Sequence, residues 1–342
     1  MDKKIIFAVA GSGKTAHVID QLTVNKRCLV LTYTTNNYRN LKTRIIEKFG
    51  HFPDSIHLQT YFNFLYTFCY SPLLSRKLKA KHISWGTPPA KSRYKGHQIK
   101  YYVDSNNSLY HNRIAKLLET QKVLDELISR LEKYFDIILI DEIQDFAGHD
   151  FNFIEHISKS KLNQIFVGDF YQHTFDTSRD GNVNNNLHSD YEKYKARFKK
   201  MGFTADSTGL NKSHRCSPTL CDFISNSLGV SIESHRNDVT DVRMIKSEEE
   251  AEQIINCFNT VKLFYQEHYK YDCYSRNWGE VKGDDHYEDV CVVLNKTTLE
   301  HFENETLEQL NPKTKNKLYV ACSRARKNLL FVSYKVLKKA TR

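Results

Sequence analysis

Two short stretches carry residues able to do chemistry. In "DIILIDEIQDF", residues 136–146, four β-type apolar residues, Ile137 to Ile140, run straight into Asp141, Glu142, Gln144 and Asp145. Carboxylates are almost never fully buried unless paired or bound to a metal. An unbroken apolar run of this length suits a central strand covered on both faces. The acidic group therefore belongs where that strand emerges. It reads either as a solvated loop or as a Mg²⁺-holding aspartate followed by a catalytic glutamate.

The second stretch, "IIFAVAGSGKT", sets a glycine-rich turn between a strand and a helix expected to begin near Lys14. Backbone N–H groups of such a turn, backed by the positive end of a helix, cradle phosphate oxygens. Ala10, Gly11, Ser12 and Gly13 would line the phosphates, with Lys14 reaching the β- and γ-phosphates and the Thr15 hydroxyl on Mg²⁺. Ala8 stands where the general pattern has Gly, a small departure, because "GSGKT" does most of the phosphate work. A loop of this kind needs a second strand bearing a carboxylate to complete metal coordination, and "ILIDE" has one. That favours the catalytic reading. Asp141 is expected to hold the metal through water, and Glu142 to orient and deprotonate the attacking water.

The elements that must position these groups alternate short apolar strands with amphipathic helical stretches, a pattern that builds parallel sheets from βαβ units. Strands are expected at Ile5–Val9, Cys28–Thr32, Ile137–Ile140, Gln164–Val167, Val290–Leu294 and Leu329–Val332. The stretches "SEEEAEQIINCFNTVKLFY" and "YEKYKARFKKM" read as helical, and 176–190 as a polar, turn-rich loop. The expected lobes are 1–205, with a small basic insertion near 71–130, and 206–342, with a much reduced insertion near 226–275.

At 342 residues, 40% hydrophobic and 26% charged, the chain suits a soluble globular protein of two α/β lobes, or of one large domain with insertions. No apolar run approaches the roughly 20 residues a membrane span needs. "MDKKIIFAVAGSGKT" does not read as a signal peptide, so a cytoplasmic location is expected. The eight cysteines form no CxxC pair, which points to reduced thiols rather than zinc or disulfides. A formal charge of +10 favours a polyanionic partner, with a solubilising surface as the alternative.

Taken in order, these and further segments resemble the UvrD/Rep-like superfamily 1 helicases. "AVAGSGKT" looks like motif I, "LTYTTNNYRNLKTRI" like motif Ia, "IDEIQDF" like motif II and "FVGDFYQHTF" like motif III. "LNKSHRCS" resembles motif IV, "NWGEVKGDDHYEDVCVVLN" a degenerate motif V, and "KLYVACSRARKNLLFV" motif VI. The resemblance implies two RecA-like P-loop lobes, each a parallel β-sheet flanked by helices, with the ATP site in the cleft between them. It implies ATP and Mg²⁺ as cofactors. Gln172, Arg215 and Arg324 would sense the γ-phosphate, a cationic fork on the transferring phosphoryl group. Gly283 and Asp285 would meet the nucleotide. Thr32, Tyr33, Thr60, Tyr61 and Phe175 would lie along a single strand.

Motif V lacks the family's Thr-x-His, having Asn277, Trp278 and Gly279 ahead of Lys282 and Gly283. Thr177 takes the place of a stacking Trp after motif III, and with seven residues ahead of Ala8 selectivity for ATP through the family's adenine-reading Gln before motif I is not expected from these residues.

From Pro72 to Val103 there is no acidic residue, yet Arg76, Lys77, Lys79, Lys81, Lys91, Arg93, Lys95 and Lys100 occur, with Trp85, Tyr94, Tyr101 and Tyr102 among them. Basic side chains track phosphates and exposed aromatics stack on bases; a solvated basic loop with locally packed aromatics has the same composition. The expected function is an ATP-dependent helicase or translocase moving 3′ to 5′ on single-stranded or tailed DNA. The alternative is a DNA-sensing regulatory ATPase that controls a partner nuclease, as in phage defence. No membrane role is expected.

Overall fold

The computed structural model describes residues 2–89, 92–174 and 180–340. Lys91 and Phe175 lie outside the described residues. The chain divides into two compact units. The first comprises Met1–Ile6, Thr15–Gly168 and Phe175–Asp206, and the second Phe7–Lys14, Asp169–Thr174 and Ser207–Arg342.

The strands of the first unit are β1 (Lys3–Phe7), β2 (Cys28–Thr32), β3 (Ile56–Thr60), β4 (Ile83–Ser84), β5 (Leu109–Tyr110), β6 (Ile137–Asp141), β7 (Asn163–Gly168) and β8 (Thr204–Asp206). Six of them form one sheet in the order β3-β2-β6-β7-β1-β8. β2 and β6 are buried at every residue, the signature of a strand covered on both faces. Parallel pairing of Leu31 with Ile140, Thr32 with Thr60, and Asp141 with Val167 brings the carboxyl ends of four strands to one edge. That edge is where open α/β sheets bind ligands.

The helix Thr35–Phe49 that joins β2 to β3 is bounded by chemistry visible in its residues. Thr34 Oγ1 accepts the Asn37 N–H at 3.1 Å, and Gly50 ends the helix at φ 76°. After β3, helix Tyr61–Phe64 passes through a wider turn, Leu65–Tyr70, into helix Ser71–Leu78. Parallel β4 and β5 then pair Ile83 with Leu109 and Ser84 with Tyr110.

The second unit holds β9 (Lys212–Ser213), β10 (Glu233–Ser234), β11 (Val242–Ile245), β12 (Thr260–Phe264), β13 (Ser275–Asn277), β14 (Asp289–Leu294) and β15 (Leu329–Ser333). Its main sheet, in the order β11-β15-β14-β12-β13, is parallel throughout. The expected helix over "SEEEAEQIINCFNTVKLFY" is corrected here. Helix Glu248–Asn256, capped by Ser247, stops, and Thr260–Phe264 becomes a fully buried strand. Burial between β13 and β14 overrides helical patterning, and Lys262 is accommodated because its ammonium donates to Cys257 O at 2.8 Å. Between Ser217 and Arg276 the chain is taken up by helices Pro218–Leu228 and Glu248–Asn256 and by β10 to β13.

No helix among the described residues is long and apolar enough to cross a membrane. All eight cysteines are free.

Candidate nucleotide and nucleic-acid sites

In the second unit the phosphate loop is fixed from several sides. Val9 N–H donates to Leu210 O at 3.0 Å, the Ser12 hydroxyl to Val9 O at 2.8 Å, and His214 N–H to Gly11 O at 2.9 Å. Gly11 sits at φ 72°, and a Cβ there would lie 2.6 Å from Ser213 Oγ and 2.8 Å from Arg215 Cβ. Gly13 sits at φ 87° with open space around it. Both positions require glycine for conformation, and Gly11 also for the close approach. Helix Lys14–Asp20 follows directly.

A chain of buried hydrogen bonds leads away from this loop. Ala10 N–H donates to the Tyr319 hydroxyl at 2.9 Å, and that hydroxyl donates to Asp169 Oδ2 at 3.0 Å. The same carboxylate oxygen accepts from Gln172 Nε2 at 2.8 Å, while Arg324 Nη2 lies 3.5 Å from Gln172 Oε1. Burial and the neighbouring Asp169 carboxylate raise the Tyr319 phenol far above its ordinary range, so it stays a donor.

Arg324 is 2% exposed, and its guanidinium reaches neutral oxygens: Asp284 O at 2.9 Å, Val320 O at 3.3 Å and the Gln172 amide. Burial first, and then the charge of Arg215, lower it to about 10. A buried cation pressed by a second cation is a site that favours an anion.

Arg215 itself donates through Nε to Asp285 Oδ1 at 2.6 Å and through Nη1 to Ser323 O at 3.1 Å. Arg326 approaches the same carboxylate at 3.6 Å. Burial pushes the Asp285 carboxyl up, but Arg215, by charge and hydrogen bond, together with Arg326 and Arg324, holds it below its ordinary value. Gly283, at φ 92°, ends the turn that precedes Asp285, closed by Asp284 N–H donating to Val281 O at 3.1 Å.

In the first unit, Asp141 ends β6 at 2% exposure. Glu142 follows in the left-handed region, φ 59° and ψ 46°, a costly conformation for a side-chain-bearing residue and one that clusters at working sites. Its N–H donates to Asp141 Oδ1 at 3.1 Å, and Gln144 Nε2 donates to its carboxylate. Gly168 leaves room for this turn, since a Cβ there would run into Gln144 Oε1 and Ile143.

Mg²⁺ prefers hard oxygen ligands and keeps waters and substrate phosphates in its shell. The Thr15 hydroxyl and the Asp141 carboxylate are such ligands. Among the described residues no group of three or more His, Cys, Asp or Glu side chains is placed to hold a metal. A hydroxyl and a carboxylate would leave coordination positions for waters and a nucleotide's phosphates.

Two expected strand contacts are corrected. Thr32 and Tyr61 are 0% exposed. Tyr61 lies among Phe62, Phe146 and Phe153, and its hydroxyl donates to Asp150 at 3.0 Å, so neither face of the ring is open to a base. Tyr33 and Thr60 are half-buried at the same sheet edge. Arg93 and Lys95 are exposed, with Arg93 over the Tyr94 ring at 4.9 Å.

Sequence reading missed Tyr319, Asp169 and the Arg113–Asp180 pair. The signal for the first two was available: each is a polar group inside an apolar run, in "KLYVAC" and "IFVGDF".

Two solved structures of arterivirus nonstructural protein 10 (helicase), one of them in complex with DNA, each superpose with a TM-score of 0.52 at 12% sequence identity. They cover 99% of this chain, which spans only 63% and 62% of theirs. At that identity the likeness concerns the fold, an α/β architecture with two parallel sheets flanked by helices, consistent with two RecA-like lobes. No curated protein matches the sequence. The family model of the viral superfamily 1 RNA helicase core domain matches residues 95–333, more than half of the chain. The chain belongs to that family, and its core is that of a superfamily 1 helicase.

Proposed function

We propose that this chain is an ATP-hydrolysing motor of the UvrD/Rep-like kind that steps along single-stranded DNA, 3′ to 5′. The observation that carries the reading is the buried hydrogen-bond chain from Ala10 through Tyr319, Asp169 and Gln172 to Arg324, which joins a phosphate loop to a cation surrounded by neutral oxygens.

ATP with Mg²⁺, when bound, supplies the phosphoanhydride and the charge that steadies its phosphates. Lys14 and the N–H groups of Ala10 to Thr15 hold phosphate oxygens. Thr15 would hold the metal directly and Asp141 through water. Glu142, placed by its left-handed turn and by Gln144, orients water and takes its proton. Arg215 and Arg324 neutralise charge gathering on the transferring group. Gln172 reports that event to Asp169 and, through Tyr319, to the loop itself. Arg93 and Lys95 draw in the strand's phosphates, while Tyr33 and Thr60 lie beside it.

The segment from Ser217 to Arg276 is occupied by regular elements of the second unit and includes no separate duplex-gripping subdomain. Separating base pairs costs about 1.4 kcal/mol of stacking per step, and something must hold the duplex at the junction. The monomer therefore steps well and unwinds poorly. A second copy or a partner protein, of which a nuclease is one kind, completes the grip.

Stopped-flow arrival of the protein at a dye-labelled strand end, paired with single-turnover separation of a tailed duplex, tests this reading. ATP-dependent arrival at the 5′ end with little separation is expected. ATP-independent arrival, or efficient unwinding by a demonstrated monomer, contradicts it. RNA strands run in parallel decide between the DNA track proposed here and the RNA of the family's description.

A further inference from the structure

Trp85 is 65% exposed, although tryptophan side chains are highly buried on average. The ring is not loose. The buried Phe62 meets it edge-on at 5.5 Å, and His111 lies 5.3 Å away at an interplanar angle of 30°. Phe62 in turn touches His111 at 5.2 Å and Tyr33 at 5.5 Å.

These four rings come from separated parts of the chain. Tyr33 follows β2, Phe62 follows β3, Trp85 follows β4 and His111 follows β5. Parallel pairing of β4 with β5 puts Ser84 beside Tyr110, which sets Trp85 and His111 side by side. The His111 ring meets Ser84 O at 3.2 Å, and burial lowers its pKa, leaving it neutral near pH 7. The row therefore starts at the carboxyl edge of the first unit's sheet and ends on an exposed indole.

The surroundings select the occupant. No acidic residue occurs from Pro72 to Val103, and Arg76, Lys77, Lys79 and Lys81 lie within ten residues before Trp85. An aromatic platform in a basic stretch suits an unpaired base on a phosphate backbone: every base has a π-face, and the backbone answers the charge.

We propose that Trp85 is a stacking platform for an unpaired base of a single strand, with Phe62 and His111 holding the indole in place. This rests on the nucleic-acid reading above and adds a contact that the motif residues do not contain.

The chain has two tryptophans, and the other, Trp278, is 0% exposed with its indole N–H donating to Leu263 O at 2.9 Å. Indole emission that acrylamide can quench therefore reports Trp85. Short oligothymidylate and oligouridylate, each labelled with fluorescein, are titrated without nucleotide. Anisotropy measures binding, and acrylamide quenching measures shielding of the indole.

The expected result is that a bound strand shields the indole, that Trp85→Ala weakens binding about tenfold, and that Trp85→Phe recovers most of the loss. The two oligonucleotides show whether the platform takes DNA, RNA or both. If a strand binds by anisotropy while the indole stays as quenchable as before, the platform is wrong and the motor reading stands. If neither strand binds the unmodified protein, both fall. Wild-type shielding decides the matter even if Trp85→Ala fails to fold.

Discussion

Arg324 and Gln172 are in direct contact, the guanidinium Nη2 lying 3.5 Å from the amide oxygen, and the other end of that amide is tied to Asp169 at 2.8 Å. The contact converts a cation into part of a relay. In the proposed motor, a charge change at Arg324 would pull on Gln172, then on Asp169 and Tyr319, and so reach Ala10 of the phosphate loop. The proposed motor uses this relay to link the state of the phosphates to the state of the second unit.

Tyr319→Phe removes the hydroxyl in the middle of the relay. Asp169 and the Ala10 N–H each lose a buried partner, at a cost of about 1–3 kcal/mol for an unmade bond. Chemical denaturation should move to lower midpoint, and ATP turnover should fall by more than nucleotide affinity does. Unchanged turnover in a folded variant means that the relay is structural only.

Lys14→Ala and Glu142→Gln should both stop hydrolysis, by different routes. The first removes phosphate neutralisation, so a fluorescent ATP analogue binds weakly. The second keeps binding and removes only the base, which lowers turnover at least about 100-fold and leaves nucleotide trapped. Parental turnover in Glu142→Gln would reassign that carboxylate.

Asp180 accepts from Arg113 Nε at 3.0 Å, Lys116 Nζ at 2.7 Å and the Tyr101 hydroxyl at 2.6 Å. Burial pushes this carboxyl up, but the hydrogen bonds from Lys116 and Tyr101 and the charges of Arg113 and Lys116 outweigh it, leaving a lowered pKa. A depressed carboxyl stabilises the fold fully above its ordinary, unfolded value and loses that contribution as pH falls through its folded value. Asp180→Asn should therefore destabilise the first unit by about 3–5 kcal/mol at neutral pH. The gap to wild type should narrow as the solution is acidified. A gap constant down to strongly acid pH would contradict the assignment.

How much of this was legible in the residues depended on how local each cause is. Apolar runs such as "CLVLT" and "DIILID" are strands on their own terms, because a strand buried on both faces needs no distant partner to reveal it. The glycine-rich loop and the Asp141–Glu142 turn were equally local. Ile56–Thr60 was missed because it alternates with His57 and Gln59, and Thr260–Phe264 because Lys262 broke its apolar run. Tyr61 was misassigned for a different reason. An aromatic just past a strand end looks the same whether it points to a groove or to the core, and here its partner Asp150 lies 89 residues away. The Asp180 cluster is likewise assembled from residues 64 to 79 positions apart.

The central claim is that a single strand drives this chain's ATP hydrolysis, and the direct measurement is steady-state phosphate release with and without single-stranded DNA or RNA. The account predicts low basal release and strong stimulation by a single strand, with the half-saturating strand concentration rising steeply with salt. It also predicts that charge reversal at Arg93 and Lys95 flattens that salt dependence, and that Lys14→Ala abolishes release in every condition. Release from the unmodified protein that no strand changes, at any salt, would contradict it.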